Sequence, residues 1–167
     1  PTFTDETDAI KSNGQYLTAL ELDGTTVLSG LTEPNSVEDM YVVAPLSGVS
    51  LERGCEYTFS LTFPKNQKSQ ILVANLWLDK DGDGTFETHL GTTGTANSNS
   101  NDISIVKFTI PADASLLLTR IRLRLDSSWK IAENADDEAN RMVYDIPVTI
   151  AQALAYTFSI VAPEGAT

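Results

Sequence analysis

Three aspartates at alternate positions, Asp79, Asp81 and Asp83, fall in the run Leu76-Trp77-Leu78-Asp79-Lys80-Asp81-Gly82-Asp83-Gly84-Thr85-Phe86-Glu87. Carboxylates this close on one short loop repel one another unless a cation sits between them. Oxygen ligands at the first, third and fifth positions, glycine at the sixth and a backbone carbonyl at the seventh make the hard-cation pattern of a calcium loop. On that pattern Asp79, Asp81 and Asp83 give side-chain oxygens, Thr85 gives its carbonyl, and Glu87 adds an oxygen directly or through water. The expected ion is Ca2+. The loop departs from the helix-flanked calcium hand, because Leu90 stands where that hand has its bidentate Glu. Both flanks, 71–78 and 86–90, are short and rich in β-formers or large apolar residues. A calcium loop between strands is therefore expected, with a further ligand from elsewhere in the chain. The competing reading is a solvated acidic hairpin turn, since Asp and Gly are also ordinary turn residues.

Other chemistry has less to stand on. His89 is the one histidine, which rules out a histidine-built zinc site and leaves it as a surface residue beside the loop. The chain has no H-E-x-x-H helix, no G-x-S-x-G elbow and no phosphate-cradling loop. A carboxylate pair for glycoside hydrolysis can be drawn only from the acids between Asp126 and Asp145, where solvated charge or metal ligation is the simpler reading. The sequence points to no enzyme. Cys55 alternates with Tyr57, Phe59, Leu61 and Phe63 and is expected to be a buried, inert thiol; as the single cysteine it allows no internal disulfide.

The elements that must position the loop are strands. At 167 residues and 41% hydrophobic content the chain suits one folded domain rather than a disordered segment. Apolar–polar alternation or short apolar runs mark strands at 16–22, 27–32, 40–44, 55–63, 71–78, 103–110, 118–125, 142–150 and 156–161. Asp23-Gly24, Pro34-Asn35-Ser36, Glu52-Arg53-Gly54 and Pro111 to Ala114 punctuate them. Residues 126–140 read as a long acidic loop with a short helix at 134–139. The expected fold class is all-β: an antiparallel β-sandwich, Ig- or jelly-roll-like, of nine or ten strands. Residues 1–15 read as an arm or linker, 16–161 as the domain and 162–167 as a tail or linker.

A net charge of −12 and a pI near 4.3 argue against nucleic acid and against an anionic membrane surface, and suit a protein that meets divalent cations. No apolar run approaches the roughly 18 residues of a membrane helix, so no membrane insertion is expected. Arg120, Arg122 and Arg124 line one face of a strand whose other face carries Ile121, Leu123 and Leu125. Cross-strand pairing with acids is the simpler account of this row; a site for an anionic ligand at Arg122 is the alternative. Trp77 lies on the face opposite Leu72, Ala74, Leu76 and Leu78, and Trp129 lies in the long loop. If exposed, either tryptophan offers a flat face for stacking on sugar rings; otherwise it packs beneath a loop.

Several blocks together resemble one family. Trp77 to Phe86 resembles the W-I-D-x-N-x-D-G-x-F signature of the GEVED domain family. Phe108-Thr109-Ile110-Pro111-Ala112-Asp113-Ala114 and then Thr119 to Leu125 are similar to its V-P-A-D-A … T-R-L-R-V-R block. Tyr144 to Ile150 resembles its closing E-D-Y-x-V-x-I, and Leu51 to Phe59 an upstream L-x-x-G-x-x-Y-x-L strand. The likeness spans about 16–150. In place of Gly-Glu-Val-Glu-Asp stands Arg141-Met142-Val143-Tyr144-Asp145, which keeps Val143 and Asp145 and lacks both glutamates. Asp145 is then the candidate for the missing metal ligand, with Asp136, Asp137 and Glu138 as alternatives. The resemblance implies an extracellular bacterial β-sandwich module attached to secreted hydrolases, adhesins or other surface proteins, and it implies no catalysis. Two roles follow: a calcium-stiffened accessory module that binds a polysaccharide or a cell-surface protein, or a structural spacer between neighbouring domains, stabilised by calcium.

Overall fold

Alternation is clearest in Glu56–Thr62, where Phe59 and Leu61 are fully buried between partly exposed neighbours. This is the fifth of ten strands in the computed structural model, which describes residues 16–34, 38–45, 49–64, 72–93, 103–127 and 142–153. In chain order the strands are β1 (Ala19–Leu22), β2 (Thr25–Leu28), β3 (Tyr41–Val43), β4 (Ser50–Glu52), β5 (Glu56–Thr62), β6 (Leu72–Leu78), β7 (Thr88–Thr92), β8 (Ile103–Thr109), β9 (Leu118–Ser127) and β10 (Val143–Ala151). One 3-10 turn, Glu38–Met40, precedes β3. Among the described residues no helix is long and apolar enough to cross a membrane.

Two sheets stack face to face. The first has the order β2-β1-β5-β8 and is antiparallel throughout. The second has the order β3-β10-β9-β6-β7; β10 pairs antiparallel with β9 and parallel with both β3 and β4. The inner face of the second sheet is the apolar half of each alternation: Ala74, Leu76 and Leu78 on β6, Ile121, Leu123 and Leu125 on β9, Tyr144, Ile146, Val148 and Ile150 on β10. Phe59 and Phe108 answer from the first sheet with rings stacked at 5.1 Å. Tyr144 keeps its hydroxyl satisfied in this core by accepting a 2.8 Å hydrogen bond from the Leu17 amide, while burial raises its pKa.

The all-β sandwich expected from the alternation is the observed architecture. Its turn chemistry holds too: Asp23 and Gly24 both take positive φ, the tight two-residue hairpin that joins β1 to β2. The differences are local. β4 was not expected; three residues give no period to read, and the strand exists by pairing with the end of β10. β9 runs through Asp126 and Ser127, which the loop reading had claimed, because β6 offers them partners at Val73 and Leu72. Cys55 is half-buried at the mouth of β5, its sulfur 3.7 Å from a Glu52 carboxylate oxygen, and so lies outside the core that its alternation suggested. The expected strand at 156–161, the helix at 134–139 and Trp129 lie outside the described residues.

Candidate metal centre

β6 delivers the loop. Its inner residues are locked into the core, so its last outward residue, Trp77, and Asp79 just past its end are fixed on the opposite face. A bulge between Leu76 and Trp77, which leaves Leu90 as the extra residue on β7, bends the hairpin just before the loop begins. Two contacts from the start of β9 hold the first ligand position. The Thr119 hydroxyl donates to the Asp79 carbonyl at 2.6 Å, and the Asp79 amide donates to the Arg120 carbonyl at 3.3 Å.

Asp79 is the one buried carboxylate of the loop, and its side chain organises the turn. Oδ1 accepts the amides of Gly82 (2.8 Å) and Asp83 (3.1 Å), and Oδ2 accepts that of Gly84 (2.9 Å). Asp81 accepts the Asp83 amide and Asp83 the Thr85 amide, so each aspartate folds the next stretch of chain. Glu87 reaches back to accept the Lys80 amide at 2.9 Å. The result brings a carboxylate oxygen from each of Asp79, Asp81, Asp83 and Glu87 within 4.8 Å of one another. Four of the predicted ligands therefore converge on one point. A carboxylate has about four lone-pair positions, so Asp79 keeps one after its three amides, while Asp81, Asp83 and Glu87 keep more. The donor set is all oxygen and carries four negative charges, which suits a hard divalent cation such as Ca2+ rather than zinc or copper.

The segment before β9 braces the loop from outside. The Ser115 amide donates to the Lys80 carbonyl at 3.0 Å, and the Lys80 ammonium meets Asp113 at 2.9 Å. That hydrogen bond lifts the Lys80 pKa and lowers that of Asp113. Leu117 packs over Gly82, where φ is +75° and an added Cβ would sit 2.9 Å from a Leu117 methyl. Gly82→Ala is expected to destabilise the domain by about 1–2 kcal/mol, chiefly from the left-handed backbone, since the Leu117 end can move aside. Urea unfolding in chelator measures that cost without the metal.

Asp145 is not a fifth ligand. The strand order puts β9 between β10 and β6, so Asp145 lies two strands, roughly 10 Å, from the β6 line that carries the loop. The register sets Asp145 opposite Arg122. Arg122 grips it with Nε at 2.8 Å and Nη2 at 2.9 Å, the Tyr41 hydroxyl donates to its second oxygen, and Arg120 stands 3.9 Å away. Nor do Trp77 and Arg122 face a ligand. They are 8% and 5% exposed, because Phe86, the residue between Thr85 and Glu87, folds back over both. The Arg122 guanidinium lies 4.1 Å from the Phe86 ring centre, and the Trp77 indole N–H is buried. Arg120 and Arg122 pair across strands with Asp145, the simpler of the two readings of the row, and the outer row is Asp145–Arg122–Trp77–His89 across four strands. His89 is exposed; it meets Trp77 edge-on at 4.7 Å, with Nε2 3.1 Å from the Asn75 side-chain oxygen. Phe86 and Tyr41 were not singled out in the sequence, although an aromatic one residue past the seventh loop position was a usable signal for a lid. Asp136, Asp137 and Glu138 lie outside the described residues.

The sequence profile of the GEVED domain matches residues 73–145, from the second residue of β6 to the aspartate on β10. Over residues 73–145 the chain is similar to the GEVED domain. The matched stretch encloses the acidic loop and the Arg122–Asp145 pair, so the aspartate shared with the name-giving motif serves here as the partner of a buried arginine. No curated protein matches the chain. Among solved structures, the chain is similar to a cellulose-active polysaccharide monooxygenase from M. thermophila, with 13% identity, a TM-score of 0.48 and coverage of 82% of this chain and 78% of that one. It is also similar to a glycoside hydrolase family 61 member from Hypocrea jecorina, with 11% identity, a TM-score of 0.38 and coverage of 84% and 83%. At these scores the likeness extends to neither substrate nor chemistry.

Proposed function

We propose that this domain is a non-catalytic calcium-binding module of a secreted or cell-surface bacterial protein, serving to hold a polysaccharide or a surface partner. The observation that carries the reading is the convergence of Asp79, Asp81, Asp83 and Glu87 oxygens within 4.8 Å at one end of the sandwich. With the Thr85 carbonyl they supply five of the six to eight oxygens that calcium takes, and water supplies the rest. The ion neutralises the loop's crowded charge and holds Phe86, whose two neighbours are ligands, over Trp77 and Arg122.

The burial of Trp77 and Arg122 favours a second role, a spacer in which calcium serves stability alone. One experiment separates the two. The module is screened on a glycan array in calcium and in chelator, alongside calorimetric titration with CaCl2. A module of the first kind takes up one ion and binds saccharide only in calcium. A spacer takes up the ion and binds no saccharide. Absence of calcium uptake at submillimolar concentration overturns both.

A further inference from the structure

We infer that the outer face of the second sheet around Arg120 is a docking surface for another protein, one that presents a carboxylate beside aliphatic side chains. Among the described residues the one ionic contact of Arg120 is Asp145, at 3.9 Å. Both oxygens of that carboxylate are already engaged: Arg122 donates to each, and the Tyr41 hydroxyl donates to the second. One carboxylate against two guanidiniums leaves a positive charge over. Arg120 keeps it, with half of its side chain in water. Asp79, the neighbour of Arg120 across β6, gives its carboxylate to three loop amides instead.

The surroundings of this charge are apolar. The register places Pro147, half-buried, directly opposite Arg120 on β10. Leu118 stands two residues away along β9, and Val43 stands on β3 opposite Asp145, so the two flank the arginine on either side. Both are exposed, as is Leu116 in the turn before β9. Side chains two residues apart on one face of a strand are roughly 7 Å apart. An extended segment of a partner has the same spacing, so a carboxylate over Arg120 sets an aliphatic neighbour over Leu118, and Pro147 and Val43 continue the apolar floor. A guanidinium takes a carboxylate through two parallel N–H bonds, and aliphatic contacts around that pair keep water out. The flanking side chains suit a peptide better than a sugar ring, whose platform is aromatic. The chain's net charge of −12 does not decide the matter, because salt screens exposed charges beyond roughly 8 Å and leaves the local arginine in control. None of the loop carboxylates belongs to this face, so the docking surface stands apart from the metal reading.

The test is an amide chemical-shift titration of the 15N-labelled chain, in saturating calcium, with three probes. They are the peptide acetyl-Leu-Thr-Glu-Thr-Val-amide, the same peptide with Gln in place of Glu, and oligogalacturonate. The Glu peptide is expected to move the amides of Val43, Leu118, Arg120 and Val148, with an affinity that falls as salt rises. The Gln peptide is expected to bind roughly tenfold more weakly. Arg120→Gln, at an exposed position, is expected to remove the difference between the two peptides while leaving the rest of the spectrum in place. Val43→Thr with Leu118→Gln is expected to weaken both peptides alike. No shifts at millimolar Glu peptide, equal binding of the two peptides by the wild type, a difference that survives in Arg120→Gln, a double variant that binds like the wild type, or shifts confined to 79–87 each overturn the site. Oligogalacturonate moving the same amides at least as tightly would make the ligand an acidic polysaccharide, and shifts of those amides on concentrating the chain alone would make it a second copy; either result overturns the partner named here. Calcium uptake can succeed or fail without altering any of these outcomes.

Discussion

Asp145→Ala is expected to destabilise the domain by about 3–5 kcal/mol, the range for breaking a buried ion pair from one side. For a chain of this length that lowers the melting temperature by roughly 6–20 °C. The size follows from what is left behind. Asp145 is 0% exposed and takes two charge-assisted bonds from Arg122 and one from the Tyr41 hydroxyl. Without it, Arg122 is a cation sealed under Phe86, with Arg120 too exposed and of the wrong sign to help. Arg122→Ala should cost a similar amount by stranding the carboxylate. The double change Arg122→Met with Asp145→Leu should recover most of the loss, because a buried pair and its apolar replacement are often close in energy. Denaturant unfolding of the four proteins measures the cycle. A double variant no better than the singles would show that the site needs charge for a reason other than mutual compensation.

This pair also marks where the sequence stops being legible. The alternation of β5 and β8 could be read because each has one buried face, and that of β6 and β9 because apolar residues on the core side alternate with polar or aromatic ones on the other, although both faces are covered. The acidic cluster could be read because all four converging carboxylates lie within nine residues, so local geometry alone brings them together. Asp145 could not be placed, because its partner depends on which strand lies beside β10. Twenty-three residues separate it from Arg122, and only the sheet order reveals that β9 intervenes between it and the loop. The same holds for Trp77. Its outward direction was correctly read from the pleat, but whether outward meant exposed depended on Phe86 packing over it from beyond the loop, a contact that the strand's own period does not carry. β4 and the half-buried Cys55 are cases of the same kind, set by neighbours distant in sequence.

Calcium itself should have a comparably large effect, and the three aspartates should separate into two classes when it is removed. An ion at a thousand times its dissociation constant stabilises the native state by about 4 kcal/mol. On this chain that raises the melting temperature by roughly 8–16 °C. Asp81→Ala and Asp83→Ala are each expected to abolish that rise. In chelator, however, both should melt within a few degrees of the wild type. Each then loses one exposed amide bond, and each relieves the repulsion among four carboxylates within 4.8 Å. Asp79→Ala should abolish the rise and also lose about 2–3 kcal/mol in chelator, because three loop amides donate to that one buried carboxylate. Scanning calorimetry of the four proteins with and without calcium reads all of this. If Asp81→Ala or Asp83→Ala kept the full calcium-dependent rise, the ion would not be held by the loop. If Asp79→Ala matched the other two in chelator, its amide bonds would not be what shapes the turn. The loop's backbone geometry would then precede its carboxylates, whereas the hydrogen bonds to Asp79 describe carboxylates that shape the backbone and are left with lone pairs to spare for the ion.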